Sequence, residues 1–447
     1  MKSVIIGAGE VGFHIAERLT REGHDVVVIE QDPAVRQRVQ NELDVMTFEG
    51  NGASPSVLEA AGIQGADLLI AVADIDEVNI AACVLAKEYG VERRIARVRD
   101  PEFSEHPFLM QGRRLGIDLM INPTIVVAEE ILDLIKTPAA AEVGKFVEGR
   151  VMMLGLQIGP GAPILDRPLK ALRPFHATTP FLIVAVYRDG RLLIPDGGTE
   201  VAPGDHLYFI SKRESIHDIL TLLGKRESII HRVLVVGGGR VGVRVAELLE
   251  REQLSVKLLE RNPNRCAELS RRLAHTLVLC GDGTDLRTLE EEGIGTMDAV
   301  VAVTDDEATN ILTALLAKEQ GAKKVIPLIK RQHLLHLLPH LGIDAAISPR
   351  MATASVILKY VRKGRVLSIF EIPESDAETL ELVVTPGSRV AGKAVHEASL
   401  PSGAIVGAIV HREEIVIPRG DTIFHPEDRV VIFALPAAIR NLEQLFS

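Results

Sequence analysis

The stretch Val4-Ile5-Ile6-Gly7-Ala8-Gly9-Glu10-Val11-Gly12, followed by Val26-Val27-Val28-Ile29-Glu30, decides the fold. A short aliphatic run enters a GxGxxG turn, and Val11, Ile15, Ala16 and Leu19 then share one face of a helix expected over 10–22. The second aliphatic run ends on an acid 18 positions beyond the last glycine (30 − 12). Strand, glycine turn, helix, strand and acid, in that order, are the context of a dinucleotide-binding unit. Gly7 allows the tight turn, Gly9 lets the backbone approach a pyrophosphate, and Gly12 lets helix and strand pack closely. The free N–H groups of the turn and the positive helix end then hold the phosphates. Glu30 is expected to accept hydrogen bonds from the adenosine ribose hydroxyls and to repel a 2′-phosphate, which favours NAD(H) over NADP(H).

Further aliphatic runs at 45–48, 68–72, 95–98 and 119–122 alternate with helical segments. This βα order predicts a doubly wound parallel sheet, an α/β Rossmann fold. Residues 124–136 read as a helix leading out of it.

The whole pattern occurs twice. Gly237-Gly238-Gly239-Arg240-Val241-Gly242 repeats the first turn at an offset of 230 (237 − 7), and Glu260 falls on Glu30. EGNGASPSVLEAAGI (49–63) matches LCGDGTDLRTLEEEGI (279–294), and NIAACVLAKEYG (79–90) matches NILTALLAKEQG (310–321). Beyond the parallel sheets, LLIPDGGTEVAPGD (192–205) matches IVIPRGDTIFHPED (415–428). These later segments show period-2 strands broken by Pro and Gly, so each Rossmann unit precedes a small α+β module. The expected domains are 1–140, 141–227, 228–364 and 365–447.

Doubly wound folds bind ligands at the carboxyl ends of their strands. That adds Asn51, Gly52, Ala73, Asp74 and Arg97 in the first unit, and Asp282, Gly283, Thr304 and Asp305 in the second. The copies are unequal. Arg240 replaces Glu10 in the turn, and could reach a terminal phosphate of ATP or ADP or pair with a neighbouring subunit. Leu328 stands where the first unit has Arg97, a residue able either to reach a phosphate or ribose or to form a surface or inter-subunit ion pair. The first site is therefore expected to prefer NAD(H), and the second to accept an adenine nucleotide or a different ligand.

Length and composition bound the rest. The 447 residues exceed one core, and a formal charge of −11 argues against nucleic acid as a partner. No apolar run approaches the roughly 18–20 residues needed to span a bilayer. Cys83, Cys266 and Cys280 lie in no metal-ligand spacing. They are expected to be reduced thiols of a cytoplasmic protein, with Cys83 a buried small hydrophobe. His333, His336 and His340 are expected on the polar face of an amphipathic helix whose surplus leucines pack between Rossmann domains.

No acid/base group with recognisable context accompanies the turns, and the small modules are too short to enclose a conventional substrate. Binding without catalysis suggests a sensor whose ligand shifts a population. An NAD-dependent oxidoreductase with a duplicated fold is the alternative.

Carried by VIIGAGEVG, VVVIEQDP (26–33), GNGASPSVLEAAGI (50–63), AVADIDEVNI (71–80), VLVVGGGRVG (233–242) and GDGTDLRTLEEEGI (281–294), the chain resembles the TrkA family. These are cytoplasmic regulatory subunits of bacterial and archaeal Trk potassium uptake systems, built from RCK and TrkA-C domains in tandem. The resemblance implies a homotetramer forming a ring of RCK domains, peripheral on the inner face of the membrane. The ring would dock on a membrane-spanning K⁺ translocation subunit of the TrkH or TrkG type, and NAD(H) and ATP/ADP would alter its geometry. It implies nucleotide contacts at Gly7 to Val11, Glu30, Ala73, Asp74 and Arg97, and at Gly237 to Val241, Glu260, Thr304 and Asp305. A nucleotide sensor for another class of transporter is a further alternative.

Overall fold

The structure is a computed structural model that describes residues 1–104, 115–176, 178–225, 228–362, 366–373, 375 and 377–446. The chain forms two compact units, residues 1–127 with 349–361, and residues 128–348 with 362–447.

The first unit holds a six-stranded sheet of β1 (Lys2–Ile6), β2 (Asp25–Glu30), β3 (Met46–Glu49), β4 (Leu68–Ala71), β5 (Arg93–Arg97) and β6 (Leu119–Ile121). All pairings are parallel, in the order β3-β2-β1-β4-β5-β6. Val4, Ile5, Leu68, Leu69 and Ile70 are fully buried, the condition that requires near-continuous aliphatic strands rather than alternating ones. The order reverses at β1, where β2 and β4 flank it, and a crevice opens at such a reversal. The register Ile6↔Ile29 and Ile6↔Ala71 brings the residues that follow these three strands to one edge.

The helix Glu10–Arg21 turns Ile15, Ala16 and Leu19 into the core. The helix Pro349–Val361, from the second half of the sequence, packs against it and buries Ala352, Ala354, Ile357 and Leu358.

The second unit carries β7 (Glu142–Phe146), β8 (Val151–Gln157), β9 (Phe181–Arg188), β10 (Arg191–Leu193) and β11 (His206–Lys212), an antiparallel sheet in the order β10-β9-β11-β8-β7. A second parallel sheet follows, of β12 (Arg232–Val236), β13 (Ser255–Glu260), β14 (Leu277–Cys280), β15 (Ala299–Ala302) and β16 (Lys324–Pro327), ordered β14-β13-β12-β15-β16. Its sixth strand shrinks to a parallel bridge between Leu328 and Ile347.

The last sheet, β17 (Val366–Glu371), β18 (Glu378–Val383), β19 (Ala404–His411), β20 (Glu414–Val416) and β21 (Arg429–Ala434), repeats the first module's order as β17-β18-β21-β19-β20. The two small modules share one core: Phe146, Met153, Tyr208 and Ile210 are buried with Ala408, Val431 and Phe433. Burial of each large side chain contributes roughly 1.5–3 kcal/mol, so the shared face is a substantial part of both modules' stability.

Two expectations are corrected. Cys266 and Cys280 are joined by a disulfide rather than reduced, with Cα atoms 6.1 Å apart. The helix Pro263–Arg272 and β14 bring them together, a proximity that spacing alone does not reveal. Cys83 is free and buried, and burial pushes its thiol up to about 12. The expected histidine-bearing helix is instead two 3₁₀ segments, Gln332–Leu337 and Pro339–Leu341. Pro339 lacks the N–H an α-helix would need there. Leu338 is buried, whereas Leu337 and Leu341 are largely exposed. The matching first-half segment, 105–114, lies outside the described residues.

Candidate functional site

In the first unit the three glycines of the turn have different physical duties. Gly7 has φ +88°, and a Cβ there would lie 2.7 Å from the Ala73 backbone, so the turn is pressed onto the end of β4. A Cβ on Gly12 would lie 1.9 Å from the Gly7 carbonyl oxygen, which fixes how closely helix and strand approach. On Gly9 a Cβ would meet nothing within 4 Å. The space beside Gly9 is therefore open at the start of the helix Glu10–Arg21, whose first N–H groups have no intrahelical acceptor.

Glu30 ends β2 beside this turn. Its carboxylate accepts from the N–H groups of Ala8 at 2.6 Å, Gln31 at 2.7 Å and Asp32 at 2.9 Å. It thereby clamps the turn, a role beyond the ribose contact expected of it. In the second unit Glu260 does the same, accepting from Gly238 N and Asn262 N, each at 2.8 Å. Gly237 (φ +110°), Gly239 and Gly242 reproduce the first turn: a Cβ on Gly242 would lie 1.9 Å from the Gly237 oxygen, and one on Gly239 would meet nothing within 4 Å. Both carboxylates, at the ends of buried strands, hold a turn whose middle glycine, Gly9 or Gly239, has open space beside it. That arrangement fits an adenosine ribose and a pyrophosphate.

The residues after β4 and β15 are held by a group the sequence reading missed. Asn79, fully buried, accepts from Ala73 N at 2.8 Å and donates to Ala73 O and Arg97 O, both at 2.8 Å. Asn310 repeats this, accepting from Thr304 N and Oγ1 and donating to the Thr304 and Leu328 carbonyls. The available signal was an asparagine at the same place in both copies, heading the matched stretches NIAACVLAKEYG (79–90) and NILTALLAKEQG (310–321). Asp76 and Glu307 were missed too; each accepts from two backbone N–H groups after the fifth strand of its sheet.

Of the two readings left open for Arg97, the structure contains the ion pair, with Asp74 at 2.9 Å. Arg97 also donates to Ala73 O at 3.0 Å, and burial pulls its pKa down despite the nearby acids. Leu328, its counterpart, is buried. Asp74 and Asp305 are exposed at their strand ends, and Lys330 Nζ donates to the Asp305 carbonyl.

Asn51 and Asp282 engage their own loops. Asn51 Oδ1 accepts from Ala53 N, while Asp282 Oδ1 accepts from Thr284 N and Oγ1, bonds that hold its carboxyl below the usual range. Gly52 and Gly283 lie against Ile6 and Val236 at the ends of β1 and β12. Val11 is buried and Val241 half-buried in their helices.

The charges round the two turns differ. Among the described residues Arg240 is exposed and makes no ion pair. Arg265, another residue not anticipated, donates from Nε to the Gly238 carbonyl at 3.0 Å. In the first unit Glu10 is paired instead with Arg350 and Arg38. No helix among the described residues is long and apolar enough to cross a membrane.

The TrkA-N domain family matches residues 3–123 and 233–349, and the TrkA-C domain family matches 153–224 and 379–447. The chain is 38% identical over 454 residues to "Trk system potassium uptake protein TrkA homolog 1" of Methanosarcina mazei, covering 100% of both chains. It is 37% identical to "Trk system potassium uptake protein TrkA" of Halomonas elongata, covering 100% of this chain and 98% of that one. Among solved structures, the GsuK RCK domain aligns with a TM-score of 0.61 at 19% identity, over 100% of this chain and 94% of the other. A "GsuK channel bound to NAD" aligns with a TM-score of 0.60 at 18% identity, over 100% and 78%. These two structures bear on the fold. The chain belongs to the TrkA family, with the TrkA-N and TrkA-C domains each present twice.

Proposed function

We propose that this TrkA-family chain is the nucleotide-sensing regulatory subunit of a potassium uptake system, without catalytic activity of its own. The observation that carries the reading is the duplicated cradle: an open space at Gly9 and Gly239, each beside a helix start and a strand-end carboxylate. Gly7 to Gly12, Glu30, Ala73, Asp74 and Arg97 would hold NAD(H) in the first unit. Gly237 to Gly242, Glu260, Thr304 and Asp305 would hold a second nucleotide, with Arg240 and Arg265 offering charge to ATP or ADP. The ligand supplies binding energy that differs between two conformations, and that difference is what shifts a population.

The relatives' names support a potassium system, and a GsuK channel bound to NAD supports a nicotinamide nucleotide on this fold. In the proposed assembly four copies form a ring on the cytoplasmic face of a TrkH- or TrkG-type membrane protein. Asn51, Gly52, Asp282 and Gly283 shape the loops at the rim of each cradle.

The test is co-purification with such a membrane subunit, followed by K⁺ flux in proteoliposomes with and without NADH and ATP. Nucleotide-dependent flux is expected. Flux indifferent to every nucleotide, or robust turnover of NAD with hydroxy- or amino-acid substrates, would sink the regulatory reading.

A further inference from the structure

In the first glycine turn Glu10 places a carboxylate at a helix start, where the dipole and the unpaired N–H groups favour an anion. This carboxylate is already held by two cations. Arg350 Nη1 lies 3.0 Å from Glu10 Oε2, and Arg38 Nη1 lies 3.4 Å from Glu10 Oε1. The Arg38 guanidinium also covers the Phe13 ring, 4.5 Å from its centroid.

The partners are not equally free. The Arg350 side chain is only 12% exposed, whereas Glu10 is 52% exposed. Arg350 Nε is buried and has no hydrogen-bond partner, so the guanidinium has donor capacity that Glu10 does not use. Its position is fixed by the helix Pro349–Val361 packed on Glu10–Arg21. Glu10 can swing into water at little cost. Arg350 cannot follow without breaking that packing.

The second copy is arranged differently. Its turn carries its own cation, Arg240, where the first carries Glu10. In the match of INP (121–123) to ISP (347–349), the residue that corresponds to Arg350 is Thr124, which is uncharged. The positive charge that the second turn carries itself reaches the first turn from a helix in the other half of the sequence.

We infer that Arg350 is an anion-binding residue of the first site, and that Glu10 is a built-in stand-in anion which a dinucleotide pyrophosphate displaces. This deepens the nucleotide-sensing reading and rests on it. A pyrophosphate spreads two negative charges over oxygens that suit two guanidinium forks better than one carboxylate does. A longer polyphosphate would return negative charge to the neighbourhood of Glu10, so the first site discriminates against nucleoside triphosphates. Binding at the first turn thereby grips a helix that belongs in sequence to the second half.

The experiment is calorimetric titration of the full chain with NADH and, separately, with ATP. A Gly239→Val background fills the second cradle, so that the first site is read alone. In that background Arg350→Gln is expected to weaken NADH binding by about ten-fold or more, and Arg350→Lys by less. Glu10→Gln is expected to tighten NADH binding several-fold and to raise ATP affinity relative to NADH. The double variant should show non-additive effects, because the two side chains compete for one role. Circular dichroism of each variant checks that it folds, and Arg350→Lys keeps the comparison if the glutamine variant does not. NADH affinity unchanged in both Arg350 variants would overturn the inference while leaving nucleotide sensing intact. A parent protein that binds no NADH would sink the sensing reading, and the inference with it.

Discussion

Arg93 Nη1 donates to the carbonyl oxygen of Val361 at 2.6 Å and so closes the C-terminal end of the helix Pro349–Val361. Its counterpart in the second copy is Lys324, at an offset of 231 (324 − 93). Lys324 Nζ shares its three N–H donors among the carbonyls of Leu134 at 2.9 Å, Thr137 at 3.3 Å, Pro138 at 3.1 Å and Ala140 at 2.7 Å, at the end of the helix Pro123–Lys136. Each residue opens the fifth strand of its sheet and meets the negative end of an exit helix drawn from the other copy.

Removing the Lys324 amine leaves buried carbonyls without a donor. Lys324→Met is therefore expected to cost about 2–4 kcal/mol in chemical denaturation of the full chain. Arg93→Met, which strands a single partly buried carbonyl, should cost about 1–2 kcal/mol. A Lys324→Met protein as stable as its parent would refute the capping role.

The glycines of the turn should separate folding from binding. Gly12→Ala collides with the Gly7 backbone oxygen and is expected to lose roughly 2 kcal/mol or more of stability. Gly9→Val, at an ordinary φ of −59° and facing open space, should stay within about 0.5 kcal/mol of the parent. It should nonetheless lose NADH at the first site. Thermal unfolding and ligand titration on the same preparations decide the matter, and the reverse pattern would contradict the cradle assignment.

Asn79→Asp keeps the shape of the side chain but cannot donate to the Ala73 and Arg97 carbonyls. Two buried acceptors lose their partner while a charge is buried, so a loss of about 2–4 kcal/mol is expected. First-site affinity should fall with it, because Ala73 is no longer fixed against Gly7. Unaltered nucleotide affinity in a folded variant would show that the brace has no part in the site.

Asp298 is buried and would be raised by that burial alone. The Lys323 ammonium at 2.8 Å and the N–H groups of His231 and Arg232, each at 2.9 Å, overcome it and hold the carboxyl at about 2. The unfolded chain then binds the proton more readily than the folded one. This group's contribution is full above the ordinary carboxylate pKa and is lost as pH falls through about 2. Asp298→Asn should cost about 2 kcal/mol at pH 7 and progressively less below pH 4, read from urea midpoints across that range. A difference independent of pH would rule out the ionic account.

Some of this was fixed by local sequence. The six strands of the first sheet, both glycine turns and the carboxylates Glu30 and Glu260 follow from aliphatic periodicity, glycine spacing and the end of the next strand. Each glycine turn and its strand-end carboxylate lie within about thirty residues of one another, and each strand is marked by its own short aliphatic run. The Asn79 and Asn310 braces were present in the matched helices, but an isolated buried polar residue declares its partners only when the backbone around it is built.

Tertiary structure alone decided the rest. That Arg350 reaches Glu10, 340 positions away (350 − 10), depends on the helix Pro349–Val361 joining the first unit. Nothing in its own periodicity specifies that destination: its buried residues, Ala352, Ala354, Ile357, Leu358 and Val361 among them, need only a close-packed apolar partner. The Cys266–Cys280 bond and the common core of the two small modules arise in the same way, from surfaces brought together by chain topology. Periodicity specifies which face a segment buries. Which distant surface it buries against is set by the packing of the whole chain, and with it the charge that reaches the first nucleotide cradle.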